Sequence, residues 1–165
     1  KGEYFGNLEL SGAPALLRDD AEIKFDWGTQ APEANLPADN FTVRWSRAIA
    51  FEEGYYRFYA NADDGVRIKV DDILLVDAWR ASAGMVEGFI NLTAGEHLVV
   101  VEFMEKTGNA SIEFGWEKSA LPSPTPTNTT APVDTPAPTA TPSLTPDPSV
   151  PTEEPSTRNQ QVTHR

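Results

Sequence analysis

The sequence predicts an all-β protein, an antiparallel β-sandwich followed by a long segment with no core. Three observations carry this. Apolar residues recur with period two through most of Lys1–Lys118, as on strands with one buried face. Short candidate strands follow one another at regular spacing, divided by Gly, Pro, Asn and Asp, and no stretch has helical periodicity. From Ser119 the composition changes to Pro, Thr and Ser, with eleven of the fourteen prolines, so residues 119–165 read as a disordered linker, semi-rigid where proline favours the extended polyproline II form.

Taken in order, Lys1–Leu17 predicts one or two short strands broken by Gly, Asn, Ser and Pro, with Tyr4 and Phe5 packed on the core. Ile23, Phe25 and Trp27 alternate with Lys24 and Asp26, a half-buried strand ended by Gly28; Thr29–Asn40 is loop. Phe41–Phe51 is the clearest strand. Phe41, Val43, Trp45, Ile49 and Phe51 share one face, and only Arg47 breaks the apolar set. Tyr56, Phe58, Ala60 and Ala62 share a face of the next strand, and Val66, Ile68 and Val70 of the one after, with the turn ADDG between them. Asp71-Asp72 stands where a two-residue hairpin turn belongs, and Ile73–Trp79 returns. Arg80–Gly88 is small and reads as a loop, Phe89–Leu92 as a short strand. His97–Phe103 reads as a strand buried on both faces, Met104–Asn109 as a loop, and Ser111–Trp116 as the closing strand. Trp45 and Trp116 lie in apolar stripes and are expected in the core; Trp79, at a strand end, is less constrained.

The chain carries a net charge of −12, of which −10 falls on residues 1–118. So acidic a domain repels phosphates, which argues against nucleic acid as a partner. The absence of cysteine excludes a disulfide framework and thiolate metal sites. No apolar run is long enough to span a bilayer, and Lys1 suggests a piece of a longer protein. No Ser-His-Asp signature, His-rich metal motif or Gly-rich phosphate loop is present, and His97 has no partner cluster in the sequence, so the fragment reads as non-enzymatic.

The most informative dipeptide is Asp63-Asp64, followed by Gly65 at a strand end. Adjacent carboxylates repel each other unless a cation or hydrogen-bond donors relieve them. Read from the residues alone, the pair either caps a turn or holds calcium. Glu105 is likewise open between a rim carboxylate paired with Lys106 or Arg67 and a metal ligand.

Three stretches, EYFGNLELSGAPALLRDDAEIKFDWG (Glu3–Gly28), LPADNFTVRWSRAIAFEEGYYRFYANADDGVRIKVDDILLVDAWR (Leu36–Arg80) and LTAGEHLVVVEFMEKTGNASIEFGW (Leu92–Trp116), resemble the protective-antigen (PA-14) domain, a β-sandwich module of bacterial toxins, glycosidases, yeast flocculins and surface proteins. The likeness covers nearly all of the globular part, in order and spacing; the family's usual turn VDG is VDD here, and the flocculin-type lectins carry asparagine at the place of Glu105. The resemblance implies an extracellular or cell-surface, lectin-like domain, monomeric, that binds glycans or surface polysaccharide. It also implies calcium held by Asp63 and Asp64 across a cis peptide, with a side-chain oxygen of Glu105 and backbone oxygens of Thr107 and Asn109. Calcium takes about 6–8 oxygen ligands, so sugar hydroxyls could complete such a set. Trp79 and Arg80, beside the Arg80–Gly88 loop, are with Asp63 and Asp64 the positional candidates for sugar contact. The alternatives are a structural or protein-interaction module without lectin activity, or an accessory domain of a larger glycosidase or protease.

Overall fold

The computed structural model describes residues 1–80 and 84–120, so the expected linker lies outside the described residues from 121 onward. Among the described residues, ten strands form two antiparallel sheets: β1 (Gly2–Phe5), β2 (Leu16–Arg18), β3 (Lys24–Gly28), β4 (Phe41–Phe51), β5 (Gly54–Asp63), β6 (Gly65–Val70), β7 (Ile73–Ala78), β8 (Gly84–Leu92), β9 (Gly95–Glu105) and β10 (Ala110–Lys118). One sheet has the order β2-β1-β4-β9-β6-β7, the other β3-β10-β5-β8. The expected sandwich is what forms.

Period-two patterning dictates which side of each strand faces the partner sheet. Phe41, Val43 and Trp45 on β4 meet Val101 and Phe103 on β9, and the opposing layer is Phe58, Ala60 and Ala62 on β5 with Ile112 on β10, all buried. Aromatic rings join the layers. Trp27 lies edge-on to Phe41 at 5.6 Å between ring centres, Phe25 stacks on Trp45 at 5.8 Å, and Phe51 meets Phe58 at 5.8 Å. Each such ring buries a large apolar area, about 1.5–3 kcal/mol per fully buried side chain, and edge or offset geometry adds to it.

Several sequence expectations change. The segment ADDG does not close a hairpin: β5 pairs with β10 and β8, β6 with β9 and β7, so Asp64 crosses from one sheet to the other. The strand expected from Phe89 already starts at Gly84, because its residues pair with Ala62 through Gly54 on β5; only residues 81–83 of the predicted loop lie outside the described residues. Strand β9 is buried on both faces only in its second half, with Leu98 43% exposed in the first. Trp45 is in the core as expected, but Trp116 is 41% exposed. The Asp71-Asp72 turn forms with positive φ at both residues, 48° and 65°, the conformation whose twist matches paired strands. His97 does have partners: its Nδ1 lies 2.5 Å from Asp71 Oδ2 and its Nε2 3.0 Å from the Thr93 carbonyl.

Candidate functional site

Four chain crossings between the sheets lie at one end of the sandwich, and register puts them side by side. Gly28 pairs with Ala110 while Phe41 pairs with Glu105, so the β3–β4 connection spans that end. Asp63 pairs with Ser111 while Gly65 pairs with Met104, which sets Asp63-Asp64 against the β9–β10 loop. Val66 pairs with Ala78 and Ala62 with Gly84, so the segment beginning at Trp79 and Arg80 leaves from the same end. The expected ligand positions Asp63, Asp64, Glu105, Thr107 and Asn109 are thus gathered by the pairing of β5, β6, β9 and β10.

The peptide between Asp63 and Asp64 is cis. Asp64 is 4% exposed, and its Oδ2 accepts the backbone N–H of Lys106 at 2.9 Å and of Thr107 at 3.4 Å. Asp39 holds the other side of the same loop, its Oδ1 accepting the Gly108 N–H at 3.0 Å, while the Asn40 N–H donates to the Lys106 carbonyl at 3.2 Å. Gly65 is closely packed where it stands: a methyl there would lie 2.8 Å from Met104 Cε and 3.1 Å from the Arg80 backbone nitrogen.

Glu105 is the unusual member. It is 0% exposed, and neither carboxyl oxygen has a hydrogen-bond partner. The pairing with Lys106 or Arg67 that the sequence left open does not form; Arg67 instead donates to Asp77 at 2.9 Å and approaches Glu102. Burial first, then the charges of Asp64, Asp63 and Asp39, push the Glu105 carboxyl up to about 8. Burial and then the neighbouring Asp64 also raise Asp63. An orphaned buried carboxyl is costly, by about 1–3 kcal/mol per unsatisfied group, unless a ligand completes it. Among the described residues, no group of three or more acidic or histidine side chains stands ready by itself to hold a metal ion. A cation here would need backbone oxygens as well. The donor set, hard oxygens only with one carboxyl orphaned, fits calcium rather than a nitrogen- or sulfur-loving metal.

Trp79 and Arg80 reach the same end. One face of the Trp79 indole is covered by the Arg67 guanidinium, 4.4 Å from the ring centre. Arg80 is exposed, and its backbone N–H closes a turn onto the Ala78 carbonyl at 2.9 Å. Asp39 was not legible as part of the site: it is one aspartate in a Pro-containing loop, and only the pairing of Phe41 with Glu105 brings it there.

The sandwich with its acidic crossing end is that of a PA14 module, and a model of the PA14 domain matches residues 1–129. The chain belongs to the PA14 domain family. It is 35% identical over 133 residues to the anti-sigma-I factor RsgI3 of Acetivibrio thermocellus, a match covering 74% of this chain and 20% of that protein. A solved anti-sigma factor domain-containing protein is 34% identical, with a TM-score of 0.67 over 72% of this chain and 42% of its own. The chain thus spans less than half of either relative. The PA14 sugar-binding domain of an RTX adhesin shares the fold, with a TM-score of 0.54 at 17% identity over 71% of this chain and 88% of its own.

Proposed function

We propose that this PA14 domain is a calcium-dependent carbohydrate-binding module, non-catalytic and displayed outside the cell by a longer protein. The observation that carries the reading is Glu105, whose two buried oxygens lack partners beside Asp63 and Asp64. Asp63, Asp64 and Glu105 would supply carboxylate oxygens, and Thr107 and Asn109 backbone carbonyls. Calcium bound there supplies charge neutralisation and open coordination places for vicinal sugar hydroxyls. Asp39 fixes the loop that carries the backbone ligands. Arg80, exposed, and the half-buried Trp79 stand at the same end, where they could meet the rest of the sugar. That an RTX adhesin's sugar-binding PA14 domain shares this fold supports the ligand class by fold alone.

Identity of 34–35% to anti-sigma factor proteins favours a second layer to this reading. In a parent of that kind the module would be the sensing part, and the bound glycan the signal. The deciding test is thermal unfolding in chelator and then across a calcium titration, with Asp64→Ala as control, and afterwards a glycan panel in calcium. A ligand that binds only the folded state raises its stability by about 2.7 kcal/mol at a hundredfold excess over Kd. A saturating rise in Tm in the wild type alone supports the calcium site. No rise, with a blank panel, returns the domain to a structural or protein-interaction role.

A further inference from the structure

Along one side of the sandwich both sheets lose their edge strands early. Strand β1 covers β4 only from Thr42 to Trp45, and β3 covers β10 only as far as Glu113. The last backbone ties there are Ser46 N–H to the Lys1 carbonyl at 3.0 Å and Phe114 N–H to the Ile23 carbonyl at 2.9 Å; past them no strand among the described residues flanks β4 or β10 on that side. A cleft of about 140 Å³ opens there. This is the order of the ~150 Å³ cavity that accommodates a single benzene ring. Trp45, Ile49, Val99 and Val101 line its floor, and Phe114 and Trp116 its wall. A more polar hollow adjoins it, sharing Asp20 and Arg47. The cleft explains two departures from the strand pattern. Arg47 stands at a core-facing position yet is exposed, and Trp116 lies in an apolar stripe yet is 41% exposed.

The rim is fixed and has free hydrogen-bonding groups. Asp20, on the floor side, is saturated: it accepts from Arg18 Nε at 2.5 Å and from Tyr4 Oη and Trp45 Nε1 at 2.7 Å each. Trp116 is held by Phe51 at 5.9 Å and Phe114 at 5.9 Å between ring centres. By contrast, neither Arg47 nor Glu22 makes a side-chain hydrogen bond or ion pair with another described residue, and both line the cleft. An apolar ring-sized slot with an unpaired donor and an unpaired acceptor at its mouth is the pattern of a small-ligand site.

We infer that this cleft is a second carbohydrate subsite that takes one neutral pyranose ring without calcium, its C–H face on Trp116 and Phe114 and its hydroxyls bridging Arg47 and Glu22. A hydroxyl both donates and accepts, so it satisfies the guanidinium and the carboxylate together. The charges around the cleft balance, Arg47 and Lys1 against Glu22 and, in the adjoining hollow, Asp19, so the ligand need carry none. An indole presents a large apolar face, which suits the C–H face of a sugar. The subsite lies along the flank, apart from the acidic crossings, and shares no residue with them.

The inference rests on the reading of the domain as a glycan binder, and one experiment separates the two. The whole chain is titrated with neutral gluco-, xylo- and manno-oligosaccharides, in calcium and in chelator, with tryptophan emission and calorimetry as readouts. Arg47→Ala, Trp116→Phe and Asp64→Ala are run beside the wild type. The expected result is binding that survives chelator and Asp64→Ala, weakens at least tenfold in Arg47→Ala, and loses its emission change in Trp116→Phe. Binding that needs calcium and is indifferent to Arg47→Ala and Trp116→Phe overturns the subsite and leaves the calcium site standing. No binding in either condition overturns both.

Discussion

Asp20 receives the indole N–H of Trp45 at 2.7 Å, through the same carboxylate oxygen that takes the Tyr4 hydroxyl. The loop between β2 and β3 is thereby tied to the inner face of β4. Burial, together with the hydrogen bond to Asp20, drives the Tyr4 hydroxyl to keep its proton. Asp20→Ala strands two donors in the core and frees Arg18, so it should cost about 3 kcal/mol. Chemical denaturation of the variant checks this; a midpoint within error of the wild type would refute it.

Gly65→Ala should be destabilising by about 1–3 kcal/mol, since the new methyl meets Met104 and the Arg80 backbone, and backbone cannot swing aside. It should also disturb the crossing end. The denaturation midpoint gives the first effect, and the size of the calcium-induced Tm rise gives the second.

Glu105→Gln tests the proposed ion. With its carboxyl raised to about 8, Glu105 is mostly protonated at neutral pH when no cation is bound, so glutamine resembles that form. A raised carboxyl contributes stability fully present below its unfolded value near 4.3 and lost as pH rises through about 8. In chelator, wild-type Tm should therefore fall between pH 5 and 8, roughly the span between those two values, and the variant should lose that part of the slope. The two should match at about pH 4 to 5, where Glu105 is protonated folded and unfolded; at pH 7 the variant should exceed the chelated wild type in Tm and fail to respond to calcium.

His97 and Asp71 form a pH-dependent clip at the opposite end. The hydrogen bonds that His97 donates to the Asp71 carboxylate and to the Thr93 carbonyl raise His97; the same contact with His97, then the Leu98 N–H, lower Asp71. The raised His contributes stability present below its ordinary value and lost as pH rises through its folded value. The lowered Asp contributes stability present above its ordinary value and lost as pH falls through its folded one. The Tm difference between wild type and His97→Gln should be largest from about pH 5 to 6, between the two ordinary values, and shrink towards pH 9. A difference independent of pH would show that the clip acts only by packing.

The β4 strand, the Asp71-Asp72 turn and the sandwich itself were legible because each depends on local pattern: period two, or a turn whose two residues take positive φ. What depends on register was not. Gly84–Gly88 lacks strong strand formers and reads as loop, yet it pairs along β5. Trp116 sits in a faultless apolar stripe, and its exposure comes from β3 stopping short on the neighbouring strand. Arg47 was the one visible sign of that cleft, a charge at an inward position. At the crossing end, Asp63-Asp64 announced itself by juxtaposed charge. Glu105 was placed by family likeness, and its complete burial had no counterpart in the local sequence; Asp39 needed the sheet pairing to bring it in.

Strand β10 begins beside the acidic crossings, at Ala110, and delivers the chain to the opposite pole at Lys118. Along the way Ser111–Lys118 lies antiparallel to Asp63–Tyr56. A domain gripped at the acidic pole and tethered through Lys118 is therefore loaded lengthwise. Its ladder hydrogen bonds then share a shearing load together instead of opening one at a time.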